Sequence, residues 1–147
     1  MKELIYSVVI NRPQDFVFNK FMDKSAYPKW AKAWGEGMNY EGEWQAGSHI
    51  SYFDNSHGGT KVLIEEIVPN ESIKTKHVAM VNTDNVEVEL TDDMMRKWIG
   101  SQENYFFIKQ NPSQTTLKVV MIIDEAFEEM MNAWHKALQY FKEACET

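Results

Sequence analysis

The chain has 147 residues, 44% hydrophobic and 13% aromatic, enough apolar mass for one domain, 1–147, with a real core and too much for an intrinsically disordered chain. Its 22 acids outnumber 15 bases, for a formal net charge of −7, which argues against a nucleic-acid-binding surface because such surfaces need clustered Lys and Arg. Apolar runs fall short of the roughly 18–20 residues that cross a bilayer, no signal-peptide core is visible and the single cysteine, Cys145, admits no internal disulfide, so a cytoplasmic protein without membrane insertion is expected.

Residues 3–10 alternate, with Leu4, Tyr6, Val8 and Ile10 on one face and Glu3, Ile5, Ser7 and Val9 on the other, predicting a first strand. Asn11-Arg12-Pro13 breaks that pattern, and Pro13 opens a short helix reaching about Asp23. A second short helix starts at Pro28 and is ended by Gly35 and Gly37. Met38–Trp44, His49–Phe53, Thr60–Val68 and Ile73–Val81 then read as an antiparallel meander joined by short turns. Residues 82–100 carry no continuous strand pattern and are too long for an ordinary hairpin connection. Their second half predicts a short helix with Thr91 as N-cap and Met94, Met95 and Trp98 on its apolar side, either a lid or partner surface over a cavity or a packed surface helix. Residues 103–110 and 115–123 complete seven strands. Asp124 then caps one long amphipathic helix running to Thr147, with Phe127, Met130, Met131, Trp134, Ala137, Leu138, Phe141 and Cys145 on a broad apolar face that something must cover.

Chemistry-bearing patterns are sparse. His49, His57, His77 and His135 lack metal-ligand spacing, Cys145 has no base near it in sequence, and neither GxSxG nor a glycine-rich phosphate cradle occurs. No metal, cofactor or catalytic residue is assigned. The polar inward positions are more informative. The strand 73–81 puts Ile73, Thr75, His77, Ala79 and Val81 on its more apolar face. If the Pro69–Ser72 turn pairs Val68 with Ile73, Glu66 lies opposite Thr75 and diagonal to His77, and Glu103 approaches from the next strand beside Tyr105 and Phe107. A carboxylate beside an imidazole orients a ligand's polar group or works as an acid–base pair; equally, it satisfies itself as a structural hydrogen bond. The apolar pocket candidates are Phe21, Trp30, Trp44, Tyr105, Phe107, Phe127, Trp134 and Leu138, with Met38, Met80, Met121 and Met131 as adaptable surface. All of these serve equally well as core.

The order of elements, together with Ile10-Asn11-Arg12-Pro13, Tyr27-Pro28-Lys29-Trp30, Trp44 with Gly47-Ser48, Pro69-Asn70-Glu71, Lys97-Trp98-Ile99-Gly100, Glu103-Asn104-Tyr105 and Trp134 with Ala137-Leu138, resembles the START-like (SRPBCC) superfamily. Within it the chain is similar to the bacterial domains related to the activator of the heat-shock-protein ATPase. The resemblance implies an α+β helix-grip fold: a seven-stranded curved antiparallel sheet wrapped around the C-terminal helix, two short helices between strands one and two, and a hydrophobic cavity. Members bind apolar ligands, cyclise aromatic substrates or act as co-chaperones, so the fold does not choose the function. Three expectations follow. The first is a binding module for a small hydrophobic molecule; the second is a co-chaperone or stress-related adaptor acting on a protein partner such as a chaperone through its surface. The third is a cyclase or hydrolase-like enzyme using Glu66, His77, Glu103 or Tyr105. A monomer or a homodimer fits any of them.

Overall fold

Alternation at both ends of the chain brings its first and last strands together. In the computed structural model, which describes residues 1–147, β1 (Lys2–Ile10) pairs antiparallel with β8 (Gln114–Ile123), with Tyr6 opposite Val119. Two short helices follow β1: α1 (Gln14–Met22), entered through Pro13, and α2 (Tyr27–Ala31), with a proline in its first turn. The meander is β2 (Asn39–Gly42), β3 (His49–Asp54), β4 (Gly58–Val68) and β5 (Ser72–Val81), and β7 (Gln102–Asn111) joins β5 to β8. Across the sheet the order is β1-β8-β7-β5-β4-β3-β2, a curved antiparallel surface of the seven expected strands. One addition lies off that path, β6 (Glu87–Val88), which pairs only with β5.

Three expectations need correction. The terminal helix is not continuous: a 3-10 turn at Glu125–Phe127 leads into α4 (Glu128–Met131), and α5 (Ala133–Glu146) begins beyond Asn132. Around that residue the bonds Asn132 N–H to Glu129 carbonyl and His135 N–H to Asn132 carbonyl span three residues instead of four, so the winding tightens at a poor helix former. The cap of α3 (Asp93–Trp98) is Asp92, whose carboxylate accepts from Met95 N–H at 2.8 Å, one residue later than Thr91. The β4–β5 register is also different. The turn pairs Val68 with Ser72, and a bulge between Ile64 and Glu66 leaves Glu66 opposite Lys74. Because side chains alternate between faces, that bulge reverses the side on which Glu66 lies.

The concave face carries Val62, Ile64, Ile73, Tyr105, Phe107, Leu117, Val119 and Met121, all buried in one core with α5, which contributes Trp134, Ala137, Leu138, Phe141 and Cys145. Helices α1 and α2 close the remaining side with Val17, Phe18, Phe21, Tyr27 and Trp30. Phe21 is the junction: its ring centroid lies 4.5 Å from Tyr105, 5.3 Å from Trp30, 5.6 Å from Phe107 and 5.7 Å from Phe141. It therefore touches α2, the sheet and α5 together. No helix is long and apolar enough to cross a membrane. Phe21→Ala is expected to lower unfolding free energy by about 3–5 kcal/mol, since it deletes a ring shared by three layers; urea denaturation checks this, and a loss below about 1 kcal/mol contradicts the junction role.

Candidate functional site

Beside the break at Asn132, between α4 and α5, the concave face is not filled. A cavity of about 410 Å³ lies there, walled by β3, β4, β5 and β7, by α2 and the segment after it, by α3, and by the stretch Phe127–Trp134. Gly59 helps to form its floor: a Cβ at that position would stand 1.8 Å from the Tyr52 carbonyl, so only glycine lets β3 and β4 approach there. Six of the chain's nine methionines line the cavity, namely Met38, Met80, Met94, Met95, Met130 and Met131. Met94 at 46% exposure and Met130 at 49% mark its mouth, beside Asp92.

A chain of hydrogen bonds crosses the inner end. Trp98 Nε1–H donates to Thr60 Oγ1 at 3.1 Å, Thr60 Oγ1 lies 2.8 Å from His77 Nδ1, and His77 Nε2 lies 3.2 Å from Glu103 Oε1. Tyr105 hydroxyl donates to Glu103 Oε2. Strand pairing sets this up. Thr75 is opposite Glu103, which puts His77 on the diagonal, and a second irregularity between Lys61 and Val62 shifts His77 opposite Val62. The main chain of His77 is clamped as well, donating to Ser101 carbonyl and accepting from Gly100 N–H, both at 2.8 Å. The end of α3 is thereby tied to the residue it covers, and Trp98 packs its ring on His77 at 4.5 Å and on Phe127 at 5.0 Å.

If Nδ1 takes the Thr60 proton, His77 Nε2–H donates to Glu103. If Nδ1–H instead donates to Thr60, whose own proton then goes to the Ala79 carbonyl at 3.3 Å, the contact with Glu103 needs a further shared proton. Either arrangement leaves the Glu103 carboxylate with unused lone pairs. Its charge is felt nearby: burial first, and Glu103 second, push the phenols of Tyr27, Tyr52 and Tyr105 well above the ordinary tyrosine range. Cys145 is buried, and burial pushes its thiol up to about 12, so it is no nucleophile at neutral pH.

Of the sequence candidates, Trp30, Met38, His77, Met80, Glu103, Phe127, Met131 and Trp134 line the cavity. Phe21, Tyr105, Phe107, Met121 and Leu138 lie in the core behind it, and Trp44 is half-buried against that core. Tyr105 still reaches the site through Glu103. Glu66 does not belong: its side chain is 52% exposed on the outer face and 3.6 Å from Lys74, whereas His77 is 1% exposed on the inner face. Sequence reasoning missed Tyr27, Trp34, Tyr52 and Thr60. The first three carried a signal, as aromatics at otherwise unexplained positions around two short helices and a strand; Thr60 carried none, because its role depends entirely on the β4–β5 register.

Because the folded pKa of the three buried phenols lies above the unfolded value, their contribution to stability is present below about pH 10 and lost as pH rises past it. Alkaline titration should therefore yield fewer than six phenolates until the far-ultraviolet circular dichroism collapses. Ionisation of all six tyrosines with the fold intact would contradict this burial.

No protein-family model matches the sequence, and no curated protein matches it. Solved structures do. An Aha1 dimer from Colwellia psychrerythraea superposes with a TM-score of 0.71 at 16% identity, covering 99% of this chain and 97% of that one. Protein MLL2253 from Mesorhizobium loti gives 0.75 at 10% identity, over 97% and 95%. PFC0360w, described as an HSP90 activator from Plasmodium falciparum, gives 0.61 at 16% identity, over 91% and 88%. With identities this low the likeness is one of architecture, and it places this chain in the helix-grip fold of the Aha1-like structures.

Proposed function

We propose that this protein binds a small, largely apolar molecule in the cavity beneath α3 and α4, and that the His77–Glu103 pair meets the polar group of that molecule. The observation that carries the reading is the pairing of a cavity of about 410 Å³ with one buried carboxylate–imidazole contact at its inner end. Small-molecule sites typically enclose about 300–1,000 Å³, mostly apolar, with a few polar groups that fix orientation. The methionine mouth suits such a role, since unbranched thioether side chains adjust to different shapes at little cost. Of the residues first considered for acid–base work, His77, Glu103 and Tyr105 stand together here and Glu66 stands apart.

The neutral fluorophore N-phenyl-1-naphthylamine should bind the purified chain, and native mass spectrometry should detect a retained small molecule or uptake from an aromatic and lipid panel. Failure of both measurements removes this reading. For bound molecules that carry a hydroxyl or amino donor, His77→Ala combined with Glu103→Gln should weaken affinity about tenfold, the loss of one to two buried hydrogen bonds; affinity unchanged within twofold removes the pair from recognition.

A second reading, action on a chaperone through the exterior, is supported by the description of one structural neighbour as an HSP90 activator. The outer face of β1 offers exposed Ile5 and Val9 for such a contact. Stimulation of a purified HSP90 ATPase by the full chain tests it, and the reading falls if addition of the chain leaves the rate unchanged.

A further inference from the structure

The charged side chains that line the cavity are Glu103 at its inner end and Asp92 at its mouth, with His77 the only other titratable group besides tyrosines. Lys61, the nearby base on β4, is drawn away to Glu87 at 3.5 Å, and Arg96 on α3 is paired with Asp93 at 3.1 Å. Around the carboxylates stand aromatic walls from Tyr27, Trp30, Trp34, Tyr52, Trp98 and Trp134. Apart from the Tyr27 and Tyr52 hydroxyls, the hydrogen-bond donors of this end are spent internally. Trp98 Nε1 is used by Thr60, Tyr105 hydroxyl by Glu103, and both imidazole nitrogens of His77 by Thr60 and Glu103. The indole nitrogens of Trp30 and Trp134 are sealed within the wall, so the cavity meets their rings and not their N–H groups.

We propose that this cavity selects a positively charged amine carried on an apolar body. The inference rests on the reading of the cavity as a ligand site and names the charge class of its ligand. An ammonium group gains twice here. It donates to the unused lone pairs of a carboxylate that already holds two donors, and it lies against aromatic faces whose negative quadrupole attracts cations, tryptophan most strongly. With His77 neutral, the His77–Glu103 pair carries a full negative charge; with His77 protonated the pair is neutral and Asp92 still sets the sign at the mouth. An anionic ligand meets carboxylates and ring faces, and no base in the cavity lining compensates its lost hydration. The formal net charge of −7 adds to the effect, because a low-dielectric cleft focuses the field of the whole molecule and raises the local concentration of cations.

Three probes of one shape separate the possibilities: 2-naphthylmethylamine, 2-naphthylmethanol and 2-naphthoate, titrated calorimetrically into the full chain at neutral pH. The amine is expected to bind about tenfold or more tightly than the carboxylate, with the alcohol between them. Glu103→Gln keeps the side-chain shape and an acceptor for Tyr105, and should shrink that preference to about threefold or less; thermal unfolding shows whether the variant keeps its fold, and the wild-type series stands without it. Methyl shifts of Met95 and Met131 in the amine complex place the probe in the cavity. Equal or tighter binding of 2-naphthoate overturns the cation preference, and if the alcohol binds, the apolar-ligand reading survives. Failure of all three probes to bind overturns both. An amine preference that persists undiminished in a folded Glu103→Gln chain, or methyl shifts confined to residues outside the cavity, also overturns the proposal.

Discussion

Trp134 and Phe141 cannot be left in water, and the way they are covered decides nearly everything else about the molecule. Trp134 stacks on Trp30 with centroids 5.9 Å apart and meets Trp34 and Tyr105 at 4.8 and 6.0 Å, while Phe141 lies under Phe21 and Trp30. Each ring of that size buries some 150–250 Å² and gains further from edge-to-face geometry. A flat sheet offers no such enclosure, so the strands curve and the two short helices after β1 fold over as a second wall. From Leu138 to Cys145 the grip is complete and the space is filled. Toward Phe127 the winding tightens at Asn132 and a void opens on the same apolar stripe. One stripe is thus plug at one end and cavity wall at the other.

The void would be merely a packing defect but for the polar chain at its inner end. Burying a carboxylate and an imidazole in an apolar wall costs several kcal/mol unless both are hydrogen-bonded, and here the partners come from separate parts of the sequence. Thr60 comes from β4, His77 from β5, Trp98 from α3, and Glu103 with Tyr105 from β7. The segment 82–100, which alone interrupts the meander, supplies the indole donor and, through Gly100 and the adjoining Ser101, clamps the main chain of His77. Cover and polar end are one network, so a shift of α3 cannot leave the environment of His77 unchanged. That coupling is why the segment acts as part of the cavity wall and not only as a filler of the sheet surface.

The same physics explains which parts of the sequence were readable. Period-two alternation in residues 3–10, 73–81 and 115–123, and the helical stripe from Phe127 to Cys145, are local consequences of burying one face, so the strands, their order along the chain and a sheet covering the last helix were accessible from pattern, while the helix-grip architecture came from the family resemblance. His77 on the inner face was readable for the same reason, and Glu103 came within reach as its cross-strand neighbour. Glu66 was misplaced because one extra residue in β4 turns a side chain from core to solvent, and a bulge leaves no reliable trace in composition. The break at Asn132 was missed because the apolar spacing continues through it.

The sequence by itself determined the architecture: a net acidic chain with one broad aromatic stripe and alternating strands has few ways to hide its apolar surface. Tertiary structure alone decided where the grip fails to close, which acid meets His77, and that Thr60 and Trp98 complete the contact. Those outcomes depend on register, on a tightened helical turn and on the docking of a short helix, each set by contacts between residues far apart in the chain. Local pattern carries the cost of exposing a face; it does not carry the address of the partner that covers it.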